Sequence, residues 1–189
     1  MALYIKHTDG NGAIDCTGVS VLVCDTDKAT TAVTFNGEAM TKIWDGNAGN
    51  TNNWWMLRNP AQGSYTASVT GGALNCSIGL RAATLRGAGE TTASQNVNCV
   101  PPDAVNGDLI LAHGGASNQP KDVGTEAPAG SLYDWNNASY GQEIAYMENA
   151  TYNYVNFTCS GSNVLNSECA FYETPEIKAA VAIAPNMML

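Results

Sequence analysis

The sequence has few charged residues, and basic residues are the scarcest of them. Only 8 lysines and arginines stand among 189 residues, against 17 aspartates and glutamates, which gives a formal net charge of -9. The basic residues occur singly, as at Arg81 and Arg86. Nucleic-acid binding depends on clustered positive charge, so we expect no nucleic-acid partner.

Long apolar runs are also missing. No stretch approaches the roughly 20 apolar residues that a membrane-spanning helix needs, and the opening MALYIKH lacks the basic and apolar regions of a secretory signal. We therefore expect a soluble chain without membrane insertion. If it reaches the exterior, it does so after earlier processing, by release with a particle assembled inside a cell, or without a recognisable signal.

Histidine is too scarce for most catalytic arrangements. His7 and His113 are the two imidazoles of the chain, and no G-x-S-x-G motif and no CxxC motif occurs. His113 is expected to be a polar residue at the end of a strand. Asp25 and Asp27 have the spacing of a glycosidase carboxylate pair, but we interpret them as solvated turn charges. The sequence predicts no catalytic residue, no metal site and no cofactor.

Cysteine is better represented and suggests cross-links. Six cysteines allow many pairings, and their spacing favours Cys16 with Cys24, Cys76 with Cys99, and Cys159 with Cys169. Buried free thiols are the alternative. Disulfides persist in oxidising surroundings, so the predicted pairs indicate an extracellular or virion-surface location.

Short apolar or alternating runs separated by Gly, Asn, Pro and Asp predict an all-β protein. Asn36-Gly37 is the clearest hairpin signal, because both positions tolerate the positive φ of a type I′ turn. So many short strands favour a two-sheet antiparallel β-sandwich, jelly-roll-like in its connections. We expect a single domain over residues 1–189, with a long surface loop at about residues 114–140.

The aromatic residues suggest one place where a ligand could bind. Trp54 and Trp55 are adjacent in a predicted strand and must point to opposite faces of its sheet, so one should be core and the other exposed, interfacial or covered by a loop. Tyr133, Trp135 and Tyr140 lie in an Asn-rich segment expected to be exposed, where aromatic faces could stack on sugars. These three residues are the candidate ligand-binding site, with ordinary packing or subunit contact as the alternative.

Four segments together form one pattern: residues 33–42 read VTFNGEAMTK, residues 54–65 read WWMLRNPAQGSY, residues 107–111 read GDLIL and residues 179–185 read AAVAIAP. These segments resemble a β-sandwich module found in phage structural proteins and bacterial surface or adhesin proteins. Together they extend over about residues 14–185. The resemblance implies a sandwich with a structural or adhesive role and provides no catalytic residue.

The resemblance and the uncharged polar composition together predict a non-enzymatic virion-surface structural protein of a bacteriophage, in capsid decoration or in a tail or fibre. Its partners would be other copies of itself and other virion or surface proteins, with glycans as a further candidate. The terminal Met187, Met188 and Leu189 are expected at a subunit contact, since they would be an unusual exposed apolar patch on a monomer. A carbohydrate-binding adhesin, or a bacterial extracellular filament or surface-layer subunit, is the alternative.

Overall fold

A computed structural model describes residues 4–46, 52–93, 97–117, 123–125, 130–136, 140–148, 155–159 and 164–174. All regular secondary structure in these ranges is β-strand, which confirms the all-β prediction. The first ten strands are β1 (Tyr4–Asp9), β2 (Ile14–Asp15), β3 (Val21–Asp27), β4 (Ala32–Phe35), β5 (Glu38–Ala39), β6 (Thr41–Asp45), β7 (Asn52–Arg58), β8 (Ser64–Tyr65), β9 (Ala67–Thr70) and β10 (Leu74–Leu80). The rest are β11 (Ala83–Ala93), β12 (Val97–Cys99), β13 (Leu109–Ser117), β14 (Val123–Thr125), β15 (Gly130–Asn136), β16 (Tyr140–Met147), β17 (Val155–Cys159) and β18 (Val164–Glu173).

Two five-stranded antiparallel sheets form the centre of the molecule. The N-sheet has the strand order β1-β10-β3-β7-β6, and the C-sheet has the order β11-β18-β13-β16-β15. Two small sheets, β2-β8 and β5-β4-β9, belong to the first half of the chain, and the sheet β12-β17-β14 belongs to the second. The antiparallel sheets are compatible with the predicted β-sandwich, whereas the jelly-roll-like connections stay a prediction.

The central strands of the N-sheet, β3, β7 and β10, are buried on both faces. One face packs on the C-sheet in a shared core that includes Val23, Trp54 and Leu111. The other face packs on the small sheets in an outer core that includes Trp55 and Phe35. This burial explains the unbroken apolar run at the start of β3, because a strand covered on both sides needs apolar residues at every position. Trp54 and Trp55 point to opposite faces, as predicted, and both are buried.

The C-sheet is likewise covered on its outer face. The small sheet β12-β17-β14 contacts β11, β13, β16 and β18. Ile110 and Ala170 are fully buried although they alternate with residues of the shared core. The described chain is therefore stacked in four layers, with the two large sheets in the middle. Both halves contribute to the shared core, while the prediction of one domain over residues 1–189 stays a prediction.

The predicted long surface loop at residues 114–140 is wrong for the described part of that segment. β13 continues to Ser117, and β14 and β15 follow. Gly114 and Gly115 continue the strand because their backbone pairs with β16 on one side and β18 on the other. The Gly-rich composition indicated a turn, but pairing on both sides stabilises the extended backbone despite the low strand propensity of glycine.

The hairpin between β4 and β5 is confirmed. Phe35 pairs with Glu38, and the two residues between them have positive φ, 49° at Asn36 and 81° at Gly37. A Cβ atom added to Gly37 would meet no other heavy atom within 4 Å. The turn therefore requires glycine at this position for its backbone conformation and not for space.

We predict that Gly37→Ala lowers the free energy of unfolding by about 1–2 kcal/mol, the cost of a left-handed L-residue. Urea denaturation followed by tryptophan fluorescence would measure the change. Glu38→Ala, at the exposed neighbouring position, is the matched control and should have little effect. Equal stability of Gly37→Ala and the native chain would contradict the type I′ turn.

Candidate functional site: a buried polar cluster between the large sheets

A cluster of polar side chains lies inside the shared core, where β3 and β7 of the N-sheet face β13 and β18 of the C-sheet. Asp25, Asn52, His113 and Ser167 each have 0% of their surface exposed. We call these four residues, together with Asn75 of β10, the interface cluster. Apolar core residues flank these positions along their strands, so the core encloses the cluster.

Three side chains converge on the carboxyl group of Asp25. Asn52 Nδ2 donates to Oδ2, and Asn75 Nδ2 donates to Oδ1 over 2.7 Å. His113 Nδ1 lies 3.0 Å from the same Oδ1 and completes the group from the opposite sheet. Two of these bonds therefore join neighbouring strands within the N-sheet, and the third joins the two sheets.

A second set of bonds connects the sheets through Ser167. Its Oγ donates to Asn52 Oδ1 over 2.8 Å and accepts from Trp54 Nε1 over 2.7 Å. Asn52 thus bridges Ser167 to Asp25. The result is a continuous network, which pairs most of the polar atoms of the cluster, whereas His113 Nε2 is buried without a hydrogen-bond partner among the described residues.

Aspartate, histidine and serine are the side chains of a hydrolytic triad, and Ser167 lies opposite His113 in the strand pairing. The geometry does not activate the hydroxyl, because its proton is directed to Asn52 and not to the imidazole. Substrate has no path to the three side chains as placed, since each is fully buried. The arrangement is suited to joining two sheets rather than to acyl transfer.

The sequence-based interpretations of Asp25 and His113 are wrong. His113 lies in the middle of β13 because the two glycines after it extend the strand, and its side chain enters the core. Asp25 is buried rather than solvated, while Asp27 instead accepts a hydrogen bond from Thr30 Oγ1. The available signal was a polar residue directly after four apolar ones, VLVC before Asp25 and LILA before His113.

The proposed ligand-binding aromatics lie on one hairpin of the C-sheet. Tyr133 and Trp135 belong to β15, at the edge of the sheet, and Tyr140 begins the neighbouring strand β16. They are therefore in strands and not in the expected loop, because β15 pairs with β16 along its length. The structure describes their backbone alone, so ligand binding by these residues stays a prediction. Residues 187–189, the predicted subunit contact, lie outside the described residues.

The predicted disulfides do not form at the four cysteines whose side chains are described. Cys16, Cys24, Cys76 and Cys169 are free and buried. Cys76 and Cys169 point into the shared core, whereas their expected partners Cys99 and Cys159 belong to the small outer sheet β12-β17-β14. Each of these two pairs would have to cross the C-sheet, which sequence spacing could not reveal.

Cys16 and Cys24 share the outer core, but both remain thiols. Cys24 Sγ lies 3.4 Å from Ser77 Oγ, within hydrogen-bonding distance. Burial raises the pKa of Cys16 to about 11 and that of Cys24 to about 12, so both stay protonated near neutral pH. The predicted disulfides were the argument for an oxidising environment. Because these cysteines are free thiols, that argument no longer holds.

Within the described ranges, no group of three or more His, Cys, Asp or Glu side chains is placed to hold a metal ion. The same part of the chain contains no helix that is long and apolar enough to span a membrane. Comparisons with protein-family models, with curated proteins and with solved structures found no match to this chain. The resemblance to a phage and adhesin module therefore stays a prediction.

We predict that the cysteines at 16, 24, 76 and 169 resist alkylation in the native protein at pH 8 and react fully once it is unfolded without reductant. Burial and, at Cys16 and Cys24, the raised thiol pKa both suppress the thiolate that reacts. Peptide mass spectrometry with light iodoacetamide before unfolding and heavy iodoacetamide after it would measure both states. Heavy label that appears only after added reductant would show that these cysteines are oxidised.

Proposed function

We propose that this protein is a non-enzymatic structural protein on the surface of a bacteriophage virion, in capsid decoration or in a tail or fibre. It would act through contacts with other copies of itself and with other virion proteins. The observation that carries the proposal is the layered arrangement of sheets whose edge strands each pair with one strand of their sheet among the described residues. The resemblance of residues 33–42 and 54–65 to a phage and surface-protein module adds to it.

The edges of the two large sheets offer backbone groups to neighbours. β1 and β6 end the N-sheet, and β11 and β15 end the C-sheet, each with one partner strand in its sheet among the described residues. An edge strand presents unpaired N–H and C=O groups that can pair with another chain. Four such edges on a stack of layers give a subunit several directions in which to contact its neighbours.

The exposed side chains support the same role. Charged residues are few, and the exposed large apolar side chains include Val100 and Val105, at 43% and 48% exposure, beside a turn of the second half. Uncharged polar surface with scattered apolar groups has a small desolvation cost when two subunits meet. A lattice of such subunits would be stabilised by the surface that neighbours bury against each other and by hydrogen bonds between their edge strands.

We predict that antibodies raised against the purified chain label the surface of intact phage particles from the source of this sequence. Immunogold electron microscopy would show the label, and antibody preadsorbed with the purified chain is the control. Label confined to host-cell material, with particles unlabelled, would refute the proposal. Purified protein should also form oligomers as its concentration rises in light scattering, whereas a monomer at all concentrations would oppose it.

A second candidate function is that of a carbohydrate-binding adhesin. It is favoured by one observation, that β15 and β16 bring Tyr133, Trp135 and Tyr140 together on one edge hairpin. Aromatic faces combine apolar area with polar edges and suit the faces of sugar rings.

We predict for this candidate that Trp135→Ala abolishes binding on a glycan array. Tyr172→Ala is the matched control, because Tyr172 is an aromatic residue of the C-sheet with 37% exposure and lies on a different strand. Binding should survive in the control with unchanged specificity. Equal binding by Trp135→Ala and the native chain, or no glycan binding by either, would exclude the site.

A further inference from the structure

The two halves of the chain, residues 4–80 and 83–173, repeat one arrangement of strands. The orders β1-β10-β3-β7-β6 and β11-β18-β13-β16-β15 are the same when β1 corresponds to β11, β3 to β13, β6 to β15, β7 to β16 and β10 to β18. The small sheets agree as well. In the first half, β2 pairs with β8 and β4 pairs with β9, and β8 and β9 are the two strands before the last one, β10. In the second half, β12 and β14 both pair with β17, the strand before the last one, β18.

The strand registers extend this correspondence to single residues. Asp25 of β3 pairs with Cys76 of β10, and His113 of β13 pairs with Ser167 of β18. From these pairs onward, residues 76–80 (CSIGL) align without a gap with residues 167–171 (SECAF), and Leu-Asn precedes both segments. β10 has a register shift between Leu74 and Cys76 that β18 lacks. Asp25 and His113 therefore occupy equivalent positions in the two halves.

The packing between the halves agrees with a two-fold relation. Asp25 contacts His113, so the two equivalent positions meet each other. β7 contacts β18 through Trp54 and Ser167, and the equivalent strands β16 and β10 contribute Ile144 and Cys76 to the same buried core. Contact between two equivalent positions is expected on the axis of an isologous two-fold interface.

We propose that the chain is a fused dimer of one module, and that the Asp25–His113 pair on the pseudo-two-fold axis selects the pairing of unlike halves. The surface that each half presents is the inner face of its five-stranded sheet. The partner that fits it is the other half of the same chain. This inference does not depend on the proposed virion role.

The preference for unlike halves follows from the side chains that would be buried together if like halves paired. If the first halves of two chains paired through this face, Asp25 would meet a second Asp25 at a position with no solvent exposure. If two second halves paired, His113 would meet His113, and the two imidazoles would share one buried site without the carboxyl group that pairs with His113 in the native chain. Unlike halves join the carboxyl group of Asp25 to Nδ1 of the imidazole over 3.0 Å. Penalising wrong partners in this way is how buried polar pairs produce specificity.

The test exchanges the two residues across the axis in the full chain. Asp25→His places His against His, His113→Asp places Asp against Asp, and the double variant restores an unlike pair in reverse. Each single variant should lower the equilibrium ratio of folded to unfolded protein by roughly 100-fold or more, because it leaves a buried polar group unpaired. The double variant should recover a ratio at least about tenfold above the product of the two single effects. Denaturant titration would measure all four proteins.

A milder set keeps the test decisive if a single variant does not fold. Asp25→Asn, His113→Asn and their double variant keep an uncharged polar side chain at each changed position and should show the same favourable coupling in the native pair. Exchanging Lys42 and Asp45, an ion pair on β6 with a partly exposed lysine and an exposed aspartate, is the control and should change the ratio little. Additive effects at Asp25 and His113 in both sets would overturn the proposal.

Discussion

The carboxyl group of Asp25 imposes the strongest constraint on this structure. It lies between two sheets with no access to water, so every hydrogen bond that it needs must come from the protein. Asn52, Asn75 and His113 supply these bonds from three different strands. The position of β3 relative to β7, β10 and β13 is thereby fixed more narrowly than apolar packing alone would fix it. Removing His113 or Asn52 would break bonds between the two large sheets, and removing Asn75 would break one within the N-sheet.

The four layers explain the composition of the chain. An ordinary two-layer sandwich alternates apolar and polar residues, because one face of each sheet meets water. Here the central strands are covered on both sides, and β3 and β13 begin with unbroken apolar runs. Two large sheets with little solvated face leave few positions for charged side chains. The low charge of the sequence is therefore a consequence of the architecture as well as a property of its surface.

The sequence was sufficient for the strand content, for the hairpin at Asn36 and for the opposite directions of Trp54 and Trp55. These features depend on local periodicity and turn chemistry, which neighbouring residues determine. The location of His113 depends on β16 and β18 pairing across two glycines, and the free state of Cys76 depends on which side of a sheet it faces. Both are set by residues distant in the sequence. The interface cluster was missed for the same reason, since its members come from five strands.

The connection between the halves is short. β10 ends at Leu80 and β11 begins at Ala83, so Arg81 and Ala82 alone join the two repeated arrangements. A joint of this length holds the partner sheets at a high effective concentration, which no dilution of the protein can reduce. An interface that would dissociate between separate chains remains closed when the same surfaces are tethered. Covalent linkage already supplies much of the affinity between the halves. The polar contacts at the centre of their interface can therefore contribute specificity for the correct partner.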